Sequence, residues 1–257
     1  VSARASAIGR AARFVAGCGD ETARLRAAVL AGEAKPERAL PALERWTERS
    51  GALRSDGSVS ALASLPVLGA LADLRLLDSP LGRRLAEALA RVQAEDGSFG
   101  AATSDADERV FATGRIGGWL SRLRSVRQEL LDRAGDHLAA RFTPESVGGF
   151  AWRPLAAHAQ FFANVVHERS DEVLQWCGRE LERGYRARRF DAVATARVLV
   201  DCGASSLPGA RLDAGELVLA LVSQQDAHGA IACAEAATPE SRALRTLDAL
   251  AALVRLG

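Results

Sequence analysis

Apolar residues recur every three or four positions in segment after segment of this chain, the spacing that gives a helix one buried stripe. The segments fall at about residues 3–15, from 20, from 36 to 50, 64–76, 83–92, 125–142, 153–166, 171–183 and 191–202, and a last one carries Leu247, Leu250, Ala251 and Val254 on one face. They are of two kinds. Segments 83–92, 125–142 and 171–183 carry charge along one side, whereas 64–76, 153–166 and 191–202 are apolar almost all round. A charged stripe must meet water, and a helix apolar on every side must be covered on every side. Their alternation predicts an outer and an inner layer, with about twelve helices forming six hairpins.

Between the two kinds of helix stands a recurring turn. Its fullest form is Gln93-Ala94-Glu95-Asp96-Gly97-Ser98-Phe99-Gly100, which ends one helix, turns on a glycine and sends an aromatic inward. Asp56-Gly57-Ser58-Val59 repeats its centre 40 positions earlier. Gly148-Gly149-Phe150-Ala151-Trp152 keeps the glycine and the aromatic, Gln225 to Ile231 keeps the glutamine-to-glycine spacing, and Gly184 to Asp191 is barely a copy. Repeats of this period mean stacked helical hairpins. The expectation is one domain over residues 1–257, with N-terminal helices over 1–50 and turn-bearing repeats over 51–257. Its last helix should pack back toward the first.

A small apolar residue, a glutamine four positions on and then Gly-x-aromatic, as at Gln93 to Gly100, resembles the QW-type repeat of squalene-hopene cyclases, other class II terpene cyclases and protein prenyltransferase β subunits. That resemblance runs from about Leu40 onward, is close only at Gln93 to Gly100, and implies an α/α toroid with a central apolar cavity. Just beyond the turn, Ser104-Asp105-Ala106-Asp107-Glu108-Arg109 is similar to the DxDD motif of class II cyclases. The resemblance implies Asp107 as a proton donor with Asp105 and Glu108 as its neighbours. Crowded carboxylates do raise one another's proton affinity. Glu108 in the fourth place and Arg109-Val110 after it depart from the motif, and an arginine there works against an acid. The same residues also suit helix capping, with Ser104 as N-cap, Asp107 three residues on, and acids at the positive helix end. Thr238-Pro239-Glu240-Ser241 has the same capping form.

Composition narrows the function classes. A formal net charge of +1 supplies no field to draw in nucleic acid or an anionic membrane, and 48% hydrophobic with 25% charged residues is an ordinary globular balance. No run approaches membrane-spanning length, and arginines interrupt the N-terminal small residues, so a cytoplasmic protein is expected. Lys35 is the only lysine and methionine is absent, which suggests a GC-rich bacterial coding sequence. Cys18, Cys177, Cys202 and Cys233 stand far apart, arguing for reduced, mostly buried thiols instead of a zinc knuckle or disulfide framework. Gly17-Cys18-Gly19-Asp20-Glu21 resembles the thioester motif of complement-type toroids, but Glu21 stands where the thioester needs glutamine. A helix stop followed by an Asp20 cap accounts for it.

The remaining candidates concern a ligand. Phe150, Trp152, His158, Phe161 and Phe162 cluster in one segment, and Trp119 follows Gly114, Gly117 and Gly118, which weaken a helix unless backbone must approach something closely. These aromatics either line a pocket or pack the core. Arg186, Arg188 and Arg189 form the most basic run, suited to a diphosphate or to a solvated turn. No DDxxD sequence accompanies them, and Asp201-Cys202 lacks the spacing of a prenyltransferase zinc site, so neither metal nor cofactor is expected. Two functions follow. One is a terpene-cyclase-like protein that acts on or binds an isoprenoid-like apolar molecule, with cyclisation initiated by protonation. The other is a non-catalytic toroid that scaffolds a protein partner, a second copy of the chain or an apolar ligand.

Overall fold

A computed structural model describes residues 2–101, 104–232 and 237–257. Within them the chain is all-α, and its only β features are the isolated bridges Leu53–Val59 and Gln225–Ile231. The helices pair as hairpins: α1 (Ala3–Cys18) with α2 (Glu21–Leu30), α3 (Leu40–Arg49) with α4 (Ala61–Asp73), and α5 (Pro80–Arg91) with α6 (Ala106–Leu120). Next come α7 (Gln128–Arg141) with α9 (Trp152–Asn164) across the single turn α8 (Pro144–Val147), α10 (Ser170–Arg186) with α11 (Ala192–Cys202), and α12 (Ala214–Ser223) with α13 (Pro239–Arg255). The second helix of each pair packs on the second helix of the next: α4 on α6, α6 on α9, α9 on α11, α11 on α13, and α13 back on α2. An ion pair between Arg26 and Asp73 joins α2 to α4, and α1 lies against α13. Contacts therefore run in a cycle. No helix of the described residues is long and apolar enough to cross a membrane.

Local chemistry explains the boundaries. Gly19 ends α1, and the Asp20 carboxylate accepts from the Ala23 N–H at 2.7 Å to start α2. Thr238 caps α13 by accepting from the Ser241 N–H at 3.2 Å. The cap of α6 falls one residue later than its sequence suggests. Asp105, not Ser104, accepts from the Glu108 N–H at 2.7 Å. Of the thiols, Cys177 and Cys202 are buried and Cys18 is half-buried; Cys233 lies outside the described residues.

The glutamine turn is one structure built twice. Gln93 donates to the Gly97 carbonyl inside its own turn and to the Leu130 carbonyl of α7, each at 2.9 Å, while Arg133 donates to its side-chain oxygen at 2.6 Å. Gln225 donates to the Gly229 carbonyl at 3.1 Å and to the Ala7 carbonyl of α1 at 2.9 Å, and Arg10 donates to its oxygen at 3.0 Å. Each glutamine thus fastens its turn to the first helix of a following hairpin, and for Gln225 that helix is the chain's first. Gly97 and Gly229 both have positive φ and press against this neighbour, so that an added Cβ would stand 2.0 Å from the Arg133 carbonyl and 2.3 Å from the Arg10 carbonyl. The turn at Asp56 lacks the glutamine, with Leu53 in its place, yet keeps the bonds Arg54 N–H to Ser58 O and Gly57 N–H to Arg54 O. Phe99 is fully buried, as the sequence requires, and its N–H donates to the Thr113 hydroxyl at 2.8 Å.

Gln225→Ala removes the two bonds that Gln225 donates and the one that it accepts from Arg10, so we expect a loss of about 1–3 kcal/mol by urea denaturation, with Gln93→Ala in the same range. A loss confined to Gln93→Ala would mean that the last turn does not hold the first helix. The copy at Gly148 to Trp152 departs from the pattern: Phe150 is left-handed with φ 68°, half-buried, and edge-on to Phe190 with ring centres 6.2 Å apart. Val147 of the inserted turn α8 fills the core there instead.

Candidate functional site

Helices α2, α4, α6 and α11 each carry one or two charged residues that the fold collects at its centre. Arg26 of α2 donates to Asp73 of α4 at 3.0 Å, and Arg197 of α11 reaches the same carboxylate at 2.8 Å. Arg197 also forks onto Asp201, one turn on, at 2.6 and 3.1 Å, and Arg115 of α6 binds Asp201 at 2.6 Å. The result is a buried chain, Arg26–Asp73–Arg197–Asp201–Arg115, across four helices. Burial alone would raise the Asp201 pKa and lower that of Arg197. The opposite charges prevail, holding Asp201 below the usual carboxylate range and Arg197 well above its ordinary value. The centre expected to be apolar is therefore polar. A lone charge in an apolar segment was the available signal, and it reads as an interruption until the segments are brought together.

This network lies between two recesses. At the N-terminal ends of α4, α6, α11 and α13, two adjoining cavities of about 340 and 490 Å³ share Phe111, Arg115, Arg197 and Asp248. Trp46, Leu62, Leu65 and Trp119 wall one, and Trp152 and Val193 wall the other. Asp248 of α13 is half-buried, and among the described residues no hydrogen bond or ion pair reaches its carboxylate. Burial raises its pKa, against the opposing pull of Arg197 and Arg26. The Trp119 ring lies 4.5 Å beneath the Arg115 guanidinium, and its buried indole N–H has no partner among the described residues. At the C-terminal ends, a cavity of about 310 Å³ is lined by Arg75, Arg122, Arg255, Ser205 and the far side of Arg197.

The sequence candidates divide around this geometry. Trp119 and Trp152 line the N-terminal recess, in company with Phe111, Trp46 and Asp248, which sequence reasoning passed over. Asp107 is exposed in the first turn of α6, one turn before Phe111 and two before Arg115, on the stripe that leads into the recess. Asp105 is exposed and engaged as the helix cap, and Glu108 is partly covered. Arg109, which follows them, turns away to Asp96 at 2.6 Å. There burial works against ionisation, but Ser98, His137 and Arg109 win, bringing the Asp96 pKa down to about 2.

His158, Phe161 and Phe162 lie away from the recess. His158 donates from Nδ1 to the Pro154 carbonyl at 2.8 Å and stacks on Phe162, and burial lowers its pKa, so it is a neutral histidine of the core. Phe161 meets Gly117 of α6, and Phe150 sits beneath Arg183 and Arg189. Arg186 is engaged by Glu216 through two bonds, one of 2.8 Å, and Arg188 is an exposed residue at positive φ. The three arginines do not converge on a shared cavity. Gly114, Gly117 and Gly118 do mark a close approach, and the partner is α9. Among the described residues no three His, Cys, Asp or Glu side chains gather to hold a metal. Comparison of the chain with protein-family models, with curated proteins and with solved structures finds no match.

Proposed function

We propose that the cyclic succession of six hairpins is an α/α toroid, similar in kind to the terpenoid cyclases, and that it binds a hydrophobic, isoprenoid-like small molecule in the N-terminal recess. One observation carries this reading: apolar and aromatic walls open onto a carboxylate that has no protein partner among the described residues, that of Asp248. Recesses of this make-up, apolar with a few polar groups, suit small ligands. The walls, Trp119 among them, take the body of the molecule, and Asp248 meets its polar end.

A second reading, protonation of that molecule, is favoured by the same carboxyl. An acid with raised proton affinity among tryptophan and phenylalanine faces has the features of a proton donor, since the π-faces attract a developing cation. In this reading Asp248 gives its proton to a double bond, while Arg197 and Arg26 stabilise the carboxylate left behind. Asp107, at the rim, would guide entry.

Three of the four tryptophans, Trp46, Trp119 and Trp152, line the recess, so intrinsic fluorescence reports its occupancy. Farnesol should change the emission saturably, and Leu62→Arg, which places a charge in the wall, should weaken the midpoint at least about tenfold. Asp248→Asn should retain binding but abolish turnover of any accepted alkene. No saturable change, or identical curves for wild type and Leu62→Arg, would overturn the reading in favour of a scaffold.

A further inference from the structure

The cavity at the C-terminal ends of the inner helices has a charge balance unlike that of the network above it. Its two carboxylates, Asp73 and Asp201, are 1% exposed and already bound by Arg26, Arg197 and Arg115. Arg75, Arg122 and Arg255 add three further guanidinium groups, and none has a carboxylate partner among the described residues. Arg122 donates from Nε to the Asn164 side-chain oxygen at 3.1 Å and from Nη2 to the Asp201 backbone carbonyl. Arg255 donates to the Asp73 backbone carbonyl, and Arg75 makes no hydrogen bond among the described residues. Bonds to neutral oxygens orient Arg122 and Arg255, and the two carboxylates of the cavity, already shared among Arg26, Arg197 and Arg115, leave an excess of positive charge there. Like charges are rarely gathered in a cavity without a counter-ion, and guanidinium forks match the oxygens of phosphate.

The backbone at Arg75 points the same way. It follows the last turn of α4 at φ 58°, while Gly203 occupies the matching place after α11 at φ 65°, on the same cavity. Glycine suits that conformation and arginine is strained there. Such strain persists where the surrounding structure imposes it, and it gathers at functional positions. Here it delivers a third guanidinium to the cavity mouth.

We infer that this cavity is a site for a small phosphate-type oxyanion, held by Arg75, Arg122 and Arg255 with the Ser205 hydroxyl, at the opposite end of the ring from the apolar recess. The ligand is either free phosphate or the phosphate group of a small ester. Calorimetric titration at matched ionic strength, with inorganic phosphate in one arm and methyl phosphate in the other, distinguishes the sources. One site per chain is expected, and tighter binding in either arm supports the inference and names the source. Arg75→Gly should weaken binding at least about tenfold while melting at or above the wild-type temperature, because glycine relieves the left-handed strain. Arg255→Gln should weaken binding to a similar degree. The inference is overturned if the wild type binds neither anion, if chloride at equal ionic strength displaces them fully, or if Arg75→Gly binds as tightly as wild type. None of these outcomes depends on the apolar recess.

Discussion

Arg197→Leu should lower the stability of the folded chain by about 3 kcal/mol at neutral pH, within the range found when one partner of a buried ion pair is removed. Arg197 joins two carboxylates, Asp73 at 2.8 Å and Asp201 at 2.6 Å. Each retains one arginine in the variant, Arg26 and Arg115 respectively, which places the loss toward the lower end of that range. The pH dependence identifies the cause. In the wild type the folded Asp201 pKa lies below its unfolded value, so its contribution is complete above that unfolded value of about 3.9 and fades as pH falls through the folded one. In the variant the burial that now opposes ionisation is less well compensated, and the folded pKa of Asp201 rises. The gap between the two proteins should therefore narrow as pH drops from 7 toward about 4.5. Urea denaturation at several pH values measures it, and a gap that is small or constant with pH would show that the network contributes little. Arg186, bonded to Glu216 but 50% exposed, provides the contrast: its replacement should leave the urea midpoint close to that of the wild type at every pH.

Gly114→Ala should destabilise by about 2–3 kcal/mol, although alanine is the better helix former. A Cβ at Gly114 would lie 2.5 Å from the Ala157 carbonyl oxygen of α9, and backbone cannot step aside as a side chain can. The two helices must separate, and Trp119 and Arg115 on α6 would move with them. Gly69→Ala is the matched control. Its Cβ would meet only the Trp119 ring at 3.4 Å, an ordinary contact, so the change should be near neutral. Thermal melts of both variants decide the matter, and equal effects would mean that helix propensity, not the closeness of α6 and α9, governs these positions.

Some of this was legible in the residues and some was not. Aspartate and threonine caps act locally, so Asp20 and Thr238 could be placed without knowing what packs on them, whereas the stop of α1 stayed open between Gly17 and Gly19. The amphipathic helices were legible because a stripe of charge along 83–92 or 171–183 has one physical outlet, water. The cap of α6 was misplaced by one residue because Ser104 and Asp105 are both good caps and stand side by side. The recess eluded sequence reading for a different reason. Its residues come from α2, α3, α4, α6, α9, α11 and α13, and Asp248 gains meaning only beside Arg197, 51 positions away. Clustering along the chain was a poor guide to clustering in space: Phe161 and Phe162 adjoin the core, while Trp46 and Trp152, far apart in sequence, share a cavity system.

The glutamine of the last turn treats the first helix as the next hairpin. In an open array of repeats the end units have one neighbour instead of two, so they loosen first and unfolding spreads inward. A chain whose last turn grips its first helix has no end unit in that sense. Loss of any one hairpin then removes support from two neighbours at once, as the loss of one stave slackens a whole cask, and the six hairpins melt together or hold together.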